Sequence, residues 1–189
     1  MQKEGLSRRQ IVAIEDARTA LQLSLISPPE ETSKVTFRHL AMLAQTKSKD
    51  DDVWTSLGLK GNVSQSMIGR LERMRTWIQS RHFPDELRIT ILKEPNSDAV
   101  GLLNEENLAI LPTLIKALTA SEWDASSIQS TISHSAKSLD MSPRHAYRAL
   151  YLCIMGTERG PRLPSILAEL KQSTVANLLT ACLASREES

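Results

Sequence analysis

The chain has 189 residues, enough to bury a core in one or two domains. Only 4% of them are aromatic and seven are glycine, so a β-sandwich or barrel is disfavoured and helices are favoured. The net charge of +1 excludes a globally polyanion-seeking surface, so any nucleic-acid contact must come from local clusters of Arg and Lys.

In chain order, Ser7 reads as an N-cap, and Ile11, Ile14, Ala17, Leu21 and Leu25 share one helical face as far as about Ile26. Pro28 and Pro29 end that helix, and 30–34 read as a linker. Thr36 caps a short helix from Phe37 to Gln45. Asp50, Asp51 and Asp52 open the next helix, where negative charge suits the helix dipole, and Gly58 or Gly61 stops it. Ser64 opens a longer helix to about His82. Its apolar stripe is Met67/Ile68, Leu71, Met74 and Ile78, and a second stripe is Arg70, Arg73, Trp77 and Arg81. Beyond Pro84, Ile89 and Ile91 alternate with Arg88 and Thr90, which predicts an extended strand over 87–92. Pro95, Asn96 and Gly101 predict a loop there. The boundary drawn at that loop gives an N-terminal helical subdomain, 1–95, and a C-terminal one, 96–189.

Asn104 starts a helix to about Ala120, with Pro112 as an expected kink. Asp124 caps another, to about Leu139. Ser142 followed by Pro143 is an N-cap with proline at the first helical position, and Gly156 stops that helix as a C′ glycine should. A loop over 157–162 and two short helices, roughly 164–170 and 173–184, complete the chain. The reading is all-α: a bundle or cage of eight to nine helices, with at most one short extended segment near 87–92.

No catalytic constellation is legible. Neither GxGxxG nor GxxxxGK[ST] occurs, and there is no GxSxG elbow. His39, His82, His134 and His145 lack zinc-ligand spacing, so no metal site is assigned. Cys153 and Cys182 sit in apolar helical runs and read as buried thiols in a reducing, cytoplasmic setting. The polar start MQKEGLSRRQ is unlike a secretory leader, and no apolar run approaches the ~20 residues that span a bilayer.

Basic residues concentrate in the last third. Arg144 and Arg148 lie one turn apart on the helix whose apolar stripe is Tyr147, Leu150, Tyr151 and Ile154. Arg159 and Arg162 follow around Gly160 and Pro161. This puts four guanidinium groups near one helix end, with only Glu158 opposing them. A guanidinium fork donates two parallel hydrogen bonds to phosphate or a base edge, and an aromatic neighbour can stack an unpaired base. The competing reading makes the tyrosines core and the arginines surface solubilisers. Trp77 reads as core rather than as a stacking platform.

The stretch Tyr147-Arg148-Ala149 with Tyr151, then Gly156 and Gly160-Pro161-Arg162, resembles the C-terminal signature of class I lysyl-tRNA synthetases. There, an [FY]RA-x-Y helix ends in a G-x-x-x-GPR loop. Thr36-Phe37-Arg38-His39-Leu40 with Gln45 is similar to that family's P-F-R-H-L…Q stretch. Arg75-Thr76-Trp77 with Phe83-Pro84-Asp85-Glu86 is similar to its A-K-N-W…PEE stretch, although Arg75-Thr76 departs from K-N. Residues 104–118, Trp123-Asp124 and 139–143 continue the likeness, which covers roughly 36–180. Glutamyl-tRNA synthetases are the nearest rival; Tyr151 and Arg162 favour the lysyl type. Leu152 stands where lysyl enzymes often carry a basic residue, and 171–179 lack the usual charged pattern.

The resemblance implies an anticodon-binding α-helix cage, with 1–95 connector-like and tRNA, tRNA(Lys) above all, as partner. It implies Arg148, Tyr151, Arg159, Gly160, Pro161 and Arg162 as first RNA contacts, with Arg144 and His145 supporting and Arg70, Arg73 and Arg81 as phosphate contacts. The family's HIGH-type and KMSKS-type sequences do not occur here. ATP and Mg would therefore belong to a separate catalytic domain, with no cofactor in this chain. A helical protein-interaction domain derived from this fold, or the glutamyl equivalent, stands as the alternative.

Overall fold

Polar side chains mark where the helices begin. The computed structural model describes residues 14, 15 and 34–187. Residues 1–34 and 35–189 are two separate units; in the first, Ile14 and Glu15 are helical. The rest of the helix expected from Ser7 to Ile26, with its proline stop, lies outside the described residues.

In the second unit, Thr36 Oγ1 accepts from His39 N at 3.3 Å and caps α1, Phe37–Thr46. Helix α2, Asp50–Ser56, carries three aspartates in its first turn, where the exposed N–H groups favour negative charge. Ser64 Oγ accepts from Met67 N at 3.3 Å to cap α3, Gln65–Gln79. Asn96 caps a single turn, α4 (Ser97–Gly101), through Ala99 N at 2.9 Å. A loop was expected here. The helix forms because that cap lets Ala99 and Val100 enter the core. Helix α5, Glu105–Ala120, opens with a reciprocal box between Asn104 and Asn107 and runs on through Pro112, which is exposed.

Asp124 caps α6, Ala125–Lys137, accepting from Ser126 N at 2.8 Å and Ser127 N at 3.1 Å. The Ser127 and Ser126 hydroxyls, and then these backbone bonds, hold its carboxyl well below the usual carboxylate range. The chain leaves α6 through Asp140, at φ 53, with the paired Met141 N to Ala136 O and Asp140 N to Lys137 O bonds of a Schellman motif. Ser142 then starts α7, Pro143–Met155, with Pro143 in its first turn. Helices α8, Leu163–Ala168, and α9, Gln172–Glu187, follow.

No strand occurs among the described residues. A 3-10 turn covers Asp85–Leu87, and 88–92 then run without a neighbouring strand. Their alternation still turns Ile89, Ile91 and Leu92 onto the core. The backbone groups find other partners. Ile89 N donates to Gln45 Oε1 at 2.9 Å, Gln45 Nε2 donates to Leu87 O at 3.1 Å, and Leu92 N donates to Ile154 O at 2.9 Å.

Two cores result. The smaller joins α1–α3 through Leu40, Leu43, Val53, Trp54, Leu71 and Met74. The larger joins α4–α9 through residues such as Ile110, Leu114, Ile132, Leu150, Ile154, Ile166 and Leu179. Met42 packs against both. Lys47 Nζ reaches across to Glu169, at 2.7 Å from its carbonyl and 3.0 Å from its carboxylate, and Ser56 Oγ donates to the same carboxylate at 2.8 Å. At the far end of the larger core, Trp123 Nε1 donates to Leu170 O, and the Gln172 amide satisfies the last carbonyls of α5. Cys153 and Cys182 are buried neighbours, and the Cys182 thiol together with burial pushes the Cys153 thiol up. Among the described residues no helix is long and apolar enough to cross a membrane.

Candidate nucleic-acid interface

Helix α7 is the scaffold of this face. Its inner side, Ala146, Ala149, Leu150, Cys153 and Ile154, is buried, and Tyr147 and Tyr151 stand half-buried at its edge. The helix ends where Gly156 takes φ 70, a left-handed conformation that costs an L side chain energy and glycine little. Gly156 also lies against Leu92, so the stop is packed as well as permitted.

From there the chain folds back along α7. The Tyr151 hydroxyl donates to Pro161 O at 2.5 Å and lies 3.1 Å from Gly160 O. Gly160 lies close against Tyr151: a Cβ there would sit 3.2 Å from Tyr151 Cε1 and 3.4 Å from Met155 Cε. Thr157 Oγ1 closes the loop on Arg159 O at 3.0 Å. Tyr151 is thus a strut for the loop. Burial raises its phenol pKa above the ordinary value, so the hydroxyl stays protonated at neutral pH.

The fold-back changes where the cations lie. Arg144 sits at the start of α7, about three turns from Gly156, so the four arginines do not cluster at one helix end as the sequence suggested. Arg144 and Arg148 lie on α7 itself, and Arg159 and Arg162 are on the loop that returns to Tyr151. Burial raises the Tyr147 phenol pKa, and the Arg162 charge opposes that shift. Arg162 Nη2 donates to Gln129 Oε1 on α6 at 2.8 Å. Arg144 and Arg159 are exposed, and their side chains have no hydrogen-bond or ion-pair partner among the described residues.

Arg148 differs from the other three. Its Nη1 donates to Leu102 O at 3.0 Å and to Asn107 Oδ1 at 2.5 Å. Its Nε donates to Glu158 Oε1 at 3.1 Å, and its Nη2 pairs with the same oxygen. Asn107 is fully buried and passes the connection on, donating from Nδ2 to His145 O at 2.9 Å. His145 itself is half-buried behind this face. Sequence reasoning missed Asn107 and Gln129 as parts of this site. Asn107 carried one signal, its place three residues after the Asn104 cap. Gln129 carried none, since only the fold brings it to Arg162.

The anticodon binding domain family matches residues 62–181 of this chain. The chain belongs to that family. It is 28% identical to the lysine–tRNA ligase of Thermoplasma volcanium over 167 residues, covering 86% of this chain and 32% of the relative. It is 26% identical to the lysine–tRNA ligase of Methanopyrus kandleri over 194 residues, covering 93% of this chain and 35% of the relative. With that of Methanococcus maripaludis it shares 36% identity over 106 residues, covering 56% of this chain and 19% of the relative. The chain thus spans about a third of the length of the first two relatives. The likeness to lysyl-tRNA synthetases read from the Gly160-Pro161-Arg162 loop is borne out.

The anticodon binding domain match begins just before α3 and so takes in Arg70, Arg73 and Arg81 as well as the loop. The three lie on or just after α3, on the smaller core. Arg70 is half-buried, while Arg73 and Arg81 are exposed. Among the described residues no hydrogen bond or ion pair joins them to 144–162. Trp77 packs between Phe37, at 5.4 Å, and Phe83, at 4.6 Å between ring centroids, which fits its reading as a core residue. Leu152 is 1% exposed and points into the core. Its apolar character serves packing, so the missing basic residue leaves no gap on this face.

Proposed function

We propose that this chain is the tRNA anticodon-recognition module of a class I lysyl-tRNA synthetase, or a free-standing relative of one. It works in the cytoplasm, holding tRNA(Lys) by its anticodon while a separate catalytic domain, with its own ATP and Mg, aminoacylates the far end. Residues 96–189 carry the recognition and 1–95 serve as connector. One observation carries the reading. A loop braced on α7 through the Tyr151 hydroxyl exposes Arg159, which has no partner among the described residues, and holds Arg162 against Gln129 of α6, on a face that also carries the half-buried Tyr147. Such a face suits phosphates and an unstacked base, the usual targets in single-stranded RNA loops. Membership of the anticodon binding domain family and the names of the relatives support the same reading.

The test is direct binding of a tRNA(Lys) transcript, its isolated anticodon stem-loop and a tRNA(Glu) control. The stem-loop should compete with the whole tRNA(Lys), tRNA(Glu) should bind more weakly, and affinity should fall as salt rises because neutralised phosphates release counterions. Replacing both Arg159 and Arg162 by Ala should cost about 1–3 kcal/mol of affinity. No change in that double variant would sink the reading in favour of a helical protein-interaction domain.

A further inference from the structure

Arg148 carries the strongest motif signal on α7, and its geometry is unlike that of a contact residue. Its guanidinium faces inward through Nη1, fixed to Leu102 O and to the buried Asn107. Its outer edge, Nε and Nη2, is closed by one oxygen of Glu158, which belongs to the loop. The chain of bonds therefore runs from the α7 backbone at His145, through Asn107 and Arg148, to Glu158, and ends one residue before Arg159. Tyr151 holds the other half of the same loop at Gly160 and Pro161. A loop of six residues gripped at two points presents Arg159 in one geometry, which lowers the ordering cost of binding.

We propose that Asn107, Arg148 and Glu158 are positioning residues. They fasten the 157–162 loop to the start of α5, so that Arg159 and Arg162 meet the RNA and Arg148 acts only through the loop. This rests on the RNA reading above. The competing account of the same geometry makes Glu158 a placeholder that leaves Arg148 when a phosphate arrives.

The two accounts differ in ion counting and in the free protein. Each phosphate contact adds about one to the salt slope of binding, and a residue that only holds a loop adds nothing. The loop also contains a trypsin site after Arg159, whose cleavage reports loop opening without any RNA. Arg148→Gln should weaken tRNA(Lys) binding about tenfold at unchanged salt slope, and should speed cleavage after Arg159 in the free protein. Arg159→Ala should lower the slope by about one. Arg148→Lys should restore little, because one ammonium cannot hold Asn107, Leu102 O and Glu158 together.

Glu158→Gln lies at an exposed position and repeats the test without disturbing the core: faster loop cleavage, unchanged slope. A slope that falls by about one in Arg148→Gln, or that rises by about one in Glu158→Gln, overturns the proposal and makes Glu158 a placeholder. Cleavage unchanged in both variants overturns it as well. If Arg159→Ala leaves affinity and slope untouched, it is the RNA reading that fails, and the cleavage rates still decide whether the strut exists.

Discussion

Arg75 in α3 and Arg148 in α7 are both turned inward, one in each core, and what they hold differs. Arg75 pairs with Asp50 at 2.8 Å and donates to Ser48 O and Lys47 O, so it fixes the turn between α1 and α2. Its Nε is buried without a hydrogen-bond partner among the described residues, a cost of about 1–3 kcal/mol set against those bonds. The turn it holds carries Lys47, which reaches across to Glu169 and ties the smaller core to the larger. Arg148 uses all three nitrogens, and the loop it holds carries Arg159 outward, a cation without a partner among the described residues. Similar chemistry thus joins two cores in one region and presents a surface in the other. The larger region can present its loop only if its own core is stiff, and the smaller matters to it through the seam.

Truncating one buried leucine in each core tests that division with the largest effect. Leu150→Ala, under the loop-bearing helix, should cost about 3–5 kcal/mol, and Leu43→Ala about 2–4 kcal/mol. Urea unfolding followed by circular dichroism should show one transition in both variants. Two separate transitions in Leu43→Ala would mean that the seam does not couple the cores. Next in size is the seam itself. Gln45→Ala removes the acceptor for Ile89 N and the donor to Leu87 O, and should cost about 1–3 kcal/mol. Amide exchange at Ile89 should quicken in that variant, while the amides of α7 keep their protection. A smaller effect sharpens the loop side. Gly160→Ala forces a Cβ against the Tyr151 ring and Met155, for about 1 kcal/mol of strain. It should lower urea stability by no more than that about 1 kcal/mol yet weaken tRNA(Lys) binding several-fold, because it moves the loop and not the core.

The sequence made the helices legible because their caps are local. Thr36, Ser64, Asn104, Asp124, Ser142 and Gly156 each announce an end by their own chemistry, and each does so in the structure. The one-turn helix at 97–101 escaped because five residues carry no periodicity. The strand at 87–92 was a sound reading of alternation, but a strand needs a neighbour, and here a glutamine side chain stands in for one. The candidate site was half legible. Residue types and spacing pointed to the loop, while the division of the arginines into held and unpaired depends on contacts between residues 10 to 46 positions apart. The motif around Arg148 sets it apart from Arg144, but nothing in it says that Arg148 is held inward by Asn107 and Glu158.

The smallest expected effect concerns the caps. Thr36 and Ser64 cap α1 and α3 in the smaller region and Ser142 caps α7 in the larger, whereas an ionised Asp124 caps α6. Hydrogen bonds from Ser127 and Ser126 favour the charged form of Asp124, so its pKa is lower folded than unfolded. A depressed carboxyl pKa contributes stability that is present above the unfolded value of about 4 and is lost as pH falls through the folded value. Asp124→Asn keeps an acceptor for the same N–H groups and removes only the charge. Its melting temperature should lie slightly below that of the parent at pH 7, and the gap should close progressively as the pH drops below about 4. Asp124 is exposed, so added salt should shrink the gap at pH 7 as well. A gap that stays constant from pH 7 to pH 2 would show that the side chain's shape, and not its charge, does the capping.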